Sequence, residues 1–262
     1  MRYRSAAVAA LIGMSTSAGV LEAQMPDSTS ASTTVQSDAI EYQTTLPEAV
    51  VTHLGHITTA FFDTPSGMGI LPVGMAEAAI AKEYAWLAGQ DSADILNMTE
   101  NMSHVLHAID PVEVGAGFGL GYGFKRAAEG VIAHIELAET SDGVSETVLF
   151  HAPFVNRAAR GSLVRADEAI AMARRIQRAT DPVETLPLIE ELRDLIRAMA
   201  FGTDRDRDGR IGQTEPEAGL AQAWYHLQLL YRVEGLEMPP LVADTLVMDA
   251  PGMAIETTGV RR

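Results

Sequence analysis

Apolar residues recur at helical spacing along most of the chain beyond residue 46, with polar residues between them. One example is the stripe of Leu188, Leu192, Leu195 and Met199, which lie three or four residues apart and so share one face of a helix. No stretch shows the sustained two-residue alternation, rich in Val, Ile and Thr, that indicates β-strands. The pattern predicts an all-α protein, with helices over 48–62, 74–89, 92–109, 123–139, 144–159, 163–179, 184–201 and 216–233.

Two stretches of the chain are similar to each other, one from His53 to Ala88 and one from His104 to Ala138. Each starts with a His-x-x-His helix, passes through a Gly-x-Gly turn and ends in an Ala-rich helix that closes with Leu-Ala. Because neither helical hairpin has an independent core, we expect the two copies to bury their apolar faces against each other as a four-helix bundle. The alternative is a chance similarity between Ala-rich helices.

The two ends of the chain differ from this helical region. Arg2 and Arg4 precede an apolar run and a group of small residues, which is the pattern of an export signal, and the run is too short to span a bilayer. We therefore expect an exported protein of the periplasm or the extracellular space, without stable membrane insertion once the signal is removed. The predicted organisation is a signal peptide over 1–23, a Ser/Thr-rich linker over 24–47, a helical bundle over 48–183, a helix-loop-helix over 184–234 and a Pro-containing tail over 235–262.

Charge and cysteine content narrow the classes of ligand. The net charge is −16, so nucleic acid and anionic membrane surfaces, whose binding rests on basic patches, are not expected partners. The chain has no cysteine, which excludes disulfides, thiolate-bound zinc and covalently attached haem. Cations are the ligands that this composition favours.

The acidic segment DRDRDGRIGQTE, residues 204–215, has the spacing of a calcium loop. A hard cation such as calcium takes six to eight oxygen ligands, and a 12-residue loop can supply them at fixed positions around a sharp turn. Gly209 stands at the sixth position, where the turn needs a left-handed backbone. The ligand positions 1, 3, 5, 7 and 12 are occupied by Asp204, Asp206, Asp208, the carbonyl of Arg210 and Glu215.

This segment resembles the EF-hand family over about residues 186–231, where a helical pattern flanks the loop on each side. The resemblance implies one calcium ion held between two helices. Thr214 and Glu217 have capping-box spacing, which predicts the start of the outgoing helix, whereas Pro216 biases Glu215 away from helical geometry. The alternative is an acidic surface turn that binds no ion.

Three arginines within the loop lower its net negative charge. With Arg205, Arg207 and Arg210 among the ligands, we expect weak calcium binding, with a dissociation constant of roughly 10⁻⁴ to 10⁻³ M. That range suits a compartment in which calcium is plentiful.

Four histidines form a second candidate site. Residues three apart on a helix are neighbours, so His53 with His56, and His104 with His107, each present two imidazoles from one face. If the two hairpins pack together, the pairs are expected to converge in the bundle, where imidazole suits zinc, copper, iron or haem. The alternative is that these are core histidines that only satisfy helix hydrogen bonds.

No catalytic motif is present. The chain lacks a G-x-S-x-G elbow, an H-E-x-x-H zinc motif and a cysteine nucleophile, and its alternating glycines over 115–123 do not have phosphate-binding spacing. The interpretation we favour is a non-enzymatic, exported calcium-binding protein with one weak, structural site. The alternative is a redox or catalytic protein with a His-ligated transition metal or haem, in which calcium is only a support.

Overall fold

A computed structural model describes residues 45–241, and every regular element within them is helical. The predicted all-α fold is thus confirmed. The predicted signal peptide, most of the linker and most of the tail lie outside the described residues. The seven α-helices are α1 (Glu48–Thr58), α2 (Ile70–Ala88), α3 (Ile95–Ile109), α4 (Phe124–Glu139), α5 (Glu146–Gln177), α6 (Pro182–Phe201) and α7 (Leu220–Val233), with a short 3₁₀ turn, Pro65–Gly67, between α1 and α2.

Polar side chains at the N-termini explain where several helices begin. Asp94, Ser145 and Asp181 each accept a hydrogen bond from a backbone N–H in the first turn of the helix that follows. These bonds satisfy amides that have no partner inside the helix. The starts of α3, α5 and α6 are therefore set by local sequence.

One helix is longer than its sequence pattern predicts. The helices expected over 144–159 and 163–179 form a single 32-residue helix, α5, which contains both Pro153 and Gly161. The hydroxyl of Ser162 donates to the carbonyl of Ala158, and so bonds to its own helix instead of ending it. Gly161 has a packing role in this helix, because a Cβ there would lie 2.2 Å from the backbone oxygen of Glu215.

The helices of the two similar stretches pack across the copies. α1 lies mainly on α4, and α2 lies mainly on α3 and α4, while α5 packs against α3, α4, α6 and α7. One face of α2 is lined by small buried side chains, which let the helix axes approach closely: Ala78, Ala81, Ala85 and Ala88. Among residues 45–241, no helix is both long and apolar enough to cross a membrane.

A buried carboxylate organises the glycine-rich connection between α3 and α4. Glu77, on α2, is 0% exposed and accepts backbone N–H groups from Leu120, Tyr122 and Gly123 at 2.9 to 3.1 Å. At Gly119 a Cβ would lie 3.0 Å from the same carboxylate. The alternating glycines thus allow the backbone to fold around Glu77.

Candidate metal-binding sites

Two groups of side chains in the described part of the chain could each hold a metal ion. One is acidic and contains Asp204, Asp206 and Glu217, whose carboxylate oxygens lie within 4.8 Å of one another. The other contains His53, His56 and His134, with one ring nitrogen of each inside the same limit. The first group lies between α6 and α7, and the second lies between α1 and α4.

In the acidic group, Glu217 stands where the sequence predicted Glu215. The side chain of Glu215 is exposed, whereas Glu217 is buried, with 7% of its surface accessible. Residues 215–217 form a turn, and the helix predicted over 216–233 begins only at Leu220, so no capping box forms at Thr214. The physical reason is Pro216, which biases Glu215 away from helical geometry, and the carboxylate that faces the loop is the one two residues later.

Backbone amides hold the Glu217 carboxylate against the loop. One oxygen accepts N–H groups from Arg205 and Asp206, both at 3.0 Å, and the other accepts the N–H of Gly212 at 2.8 Å. The bonds from the amides of Asp206 and Gly212 lower the pKa of Glu217 below its ordinary value. Glu217 therefore remains a carboxylate at neutral pH.

The aspartates hold the loop in a tight turn. Asp204 accepts the backbone N–H of Asp208 at 3.1 Å on one oxygen and that of Gly209 at 2.9 Å on the other. Gly209 has a φ of +87°, the left-handed value for which the sequence predicted a glycine. Asp208 is exposed, accepts the N–H of Arg210 at 2.8 Å, and lies outside the group formed by Asp204, Asp206 and Glu217.

A buried arginine on α5 forms hydrogen bonds with the end of the loop. Arg165, on α5, donates to the backbone oxygens of Pro216 and Ala218, both at 2.8 Å. Its guanidinium thus provides hydrogen-bond donors for two backbone carbonyls that would otherwise be buried without partners. Together with the close approach of Gly161 to Glu215, this contact fixes the position of Glu217 relative to the body of the protein.

Three imidazoles meet where α1 crosses α4. The Nδ1 atoms of His53 and His134 are 3.1 Å apart, and the ring centroids of His56 and His134 are 4.8 Å apart. Phe61 packs against the rings of His56 and His134, with centroid distances of 4.9 and 5.0 Å. The three histidines are half-buried, so the group lies close to the surface, with the ring of Phe61 packed against two of them.

The surroundings of this group disfavour protonation. Burial, followed by the neighbouring His56 and His53, lowers the pKa of His134 to about 4. Burial and His53 also lower the pKa of His56. At neutral pH the rings of His134 and His56 are thus neutral and present lone pairs, which is the form that binds metal ions.

The second predicted histidine pair lies elsewhere. His104 accepts the backbone N–H of Phe118 at 3.1 Å and packs against Tyr84, with ring centroids 4.5 Å apart. Nδ1 of His107 is 3.4 Å from the carbonyl oxygen of Val114. The expected convergence of the two pairs is therefore not found, because each pair faces the second helix of the other copy.

The similarity of the two stretches accounts for this difference between the pairs. The offset of 50 residues that relates Leu87 to Leu137 also relates Tyr84 to His134. At equivalent places in the two copies, one histidine pair thus meets a third histidine and the other meets a tyrosine. The sequence therefore shows that His134 corresponds to Tyr84. That correspondence identifies a third histidine of the group only once α1 is known to pack on α4.

A further histidine pair connects the acidic loop to the helices. Nδ1 of His151, on α5, lies 3.0 Å from Nδ1 of His226, on α7, and Nε2 of His226 lies 3.0 Å from the side-chain oxygen of Gln213. Both histidines are buried, and the ring of Phe154 stacks on His226. Sequence spacing gave no indication of this pair, because its members are 75 residues apart.

Comparisons with protein-family models, with curated proteins and with solved structures give no match for this chain. Its function must therefore be argued from these sites.

Proposed function

We propose that this is an exported calcium-binding protein in which one ion, bound at the acidic loop of residues 204–215, joins α6 and α7 to the body formed with α5. The observation that carries the proposal is the position of Glu217, a buried carboxylate held beside Asp204 and Asp206. Calcium–oxygen distances are about 2.3–2.6 Å, so two ligands of one ion are at most about 5 Å apart. The carboxylate oxygens of Asp204, Asp206 and Glu217 lie within 4.8 Å of one another, which is inside that limit.

The ligand set we propose combines side-chain and backbone oxygens. Calcium prefers oxygen ligands and tolerates irregular geometry, so a loop of this kind can close around it with small side-chain rotations. We assign the ligands to Asp204, Asp206, Asp208, the carbonyl of Arg210 and Glu217, with Glu217 in place of the Glu215 expected from the spacing.

We expect weak calcium binding because Glu217 already accepts several hydrogen bonds from the backbone. The two oxygens of a carboxylate offer about four acceptor sites, and three of these already receive backbone N–H groups from Arg205, Asp206 and Gly212. Glu217 thus has about one site left for the ion, where a typical closing glutamate binds through both oxygens. We expect a dissociation constant of roughly 10⁻⁴ to 10⁻³ M.

The role proposed for the ion is structural. Binding to the folded state alone stabilises it by about 1–3 kcal/mol when calcium is present at roughly 10 to 100 times its dissociation constant. Export, which rests on the sequence pattern of residues 1–23, would place the protein where calcium reaches such concentrations.

Calorimetric titration of the purified chain with calcium tests the assignment of Glu217. The wild-type protein is expected to bind one ion, and Glu217→Gln is expected to weaken binding at least tenfold, since it removes the buried charge nearest to Asp204 and Asp206. Glu215→Gln is the matched control and should change the affinity less than threefold. No calcium heat at millimolar ligand, or a larger loss in Glu215→Gln than in Glu217→Gln, would contradict the proposal.

A further inference from the structure

We infer that His53, His56 and His134 form a second metal site, independent of the acidic loop, which binds a divalent transition-metal ion of the zinc class and leaves one coordination position open. The proposal rests on the geometry of these three side chains and on one unsatisfied nitrogen. It does not depend on calcium binding.

The distance between two of the rings fits shared coordination. Zinc–nitrogen bonds are about 2.0–2.1 Å, so two imidazoles on one tetrahedral ion have nitrogens about 3.3 Å apart. The Nδ1 atoms of His53 and His134 are 3.1 Å apart, and a ring nitrogen of His56 lies within 4.8 Å of the other two ligand atoms. A small rotation of His56 would bring all three nitrogens onto one ion.

His56 also carries an orphaned nitrogen. Nδ1 of His56 is the single buried side-chain nitrogen or oxygen of residues 45–241 that lacks a hydrogen-bond partner. Buried polar atoms are nearly always paired, so an unpaired one calls for an explanation such as a bound ion. The buried pair of His151 and His226 gives a contrast, because Gln213 satisfies the outer nitrogen of His226 and no third histidine is added.

The donor set selects the class of metal. Three imidazoles with no carboxylate among them do not suit calcium, which takes oxygen ligands, whereas zinc, copper and nickel bind imidazole well. Haem also does not fit, since its iron offers protein ligands only on the two opposite faces of the ring and three nitrogens converge here.

Three protein ligands leave the fourth tetrahedral position for water or a small anion. Closed structural zinc sites have four protein ligands, and sites with three are the ones at which zinc activates a bound water. The three histidines are each partly exposed, so the group borders solvent and does not lie in the sealed core.

The test uses Zn²⁺ and Co²⁺ as probes on the chain purified without a histidine tag, in excess calcium so that the acidic loop does not take up the added metal. The wild-type protein should bind one zinc per chain, and Co²⁺ should give the intense visible bands of a tetrahedral site. His134→Ala should weaken zinc binding about 100-fold or more, since loss of a direct ligand should cost at least as much as the 10- to 100-fold loss seen for outer-shell partners. His53→Ala is a second variant with the same expected loss.

The repeat provides a matched control. His104→Ala removes a histidine at the equivalent place in the other copy, where Tyr84 replaces the third imidazole, and should leave zinc affinity unchanged. Circular dichroism of each variant reports whether it has kept its helices. Absence of stoichiometric zinc in the wild-type protein, or an equal loss in His104→Ala and His134→Ala, would overturn the site. Azide should shift the Co²⁺ bands, and bands that it leaves unchanged would overturn the open position.

Discussion

Single carboxylates organise the two longest connections between helices in residues 45–241. Glu77 and Glu217 are buried, and each accepts three backbone N–H groups from a loop that would otherwise leave those amides unpaired. The spacing of Asp204 and Asp206 identified the loop from sequence, because those positions are fixed by a local turn. Glu217 could not be identified in the same way, since its position depends on the turn at 215–217 and on the contact with Arg165.

His226 gives a prediction about pH. Burial, with smaller contributions from His151 and Arg157, lowers its pKa to about 4 in the folded protein, against about 6.5 when the chain is unfolded. Between these values the unfolded chain binds more protons, so this contribution to stability is complete above pH 6.5 and is lost as the pH falls toward 4. A shift of this size corresponds to roughly 2 kcal/mol of stability lost between pH 8 and pH 5.

Urea denaturation at several pH values measures this effect. The free energy of unfolding of the wild-type protein should fall from pH 8 to pH 5, and His226→Gln should show a smaller fall over the same interval, whatever its stability at pH 8. Equal falls in the two proteins would show that His226 does not carry the effect.

At the scale of elements, the contact between α5 and the acidic loop is the one that positions the site. The sequence predicted separate helices over 144–159 and 163–179, but in the structure the interval between them is helical, and Gly161 within it lets the loop backbone touch α5. The apolar pattern of the sequence does not reveal this contact, so the single long helix could not be predicted without knowledge of the packing.

Two glycine substitutions separate packing from helix propensity. Gly161→Ala would place a Cβ 2.2 Å from the backbone oxygen of Glu215, and we expect a net destabilisation of about 1–3 kcal/mol together with weaker calcium binding. Gly55→Ala is the control, since Gly55 lies in α1 with no atom within 4 Å of the added Cβ, and should stabilise by about 0.5–1 kcal/mol. Denaturant unfolding would contradict this if both variants gained stability.

At the scale of the whole molecule, the similar stretches span parts of α1 to α4, and α5, α6 and α7 pack against these helices. Helical periodicity was sufficient to predict the all-α fold, because each amphipathic helix has to bury its apolar face. The pairing of α1 with α4 and of α2 with α3 could not be read from periodicity, which does not specify partners. For that reason the sequence grouped His53 and His56 with His104 and His107, whereas the fold brings them to His134.

The most direct test of the central claim is a crystal structure of the chain grown in millimolar calcium. It should show one ion in the acidic loop at about 2.3–2.6 Å from oxygens of Asp204, Asp206, Asp208, Arg210 and Glu217. An acidic loop without an ion under these conditions, or an ion bound by Glu215 while Glu217 contacts only backbone amides, would contradict the account.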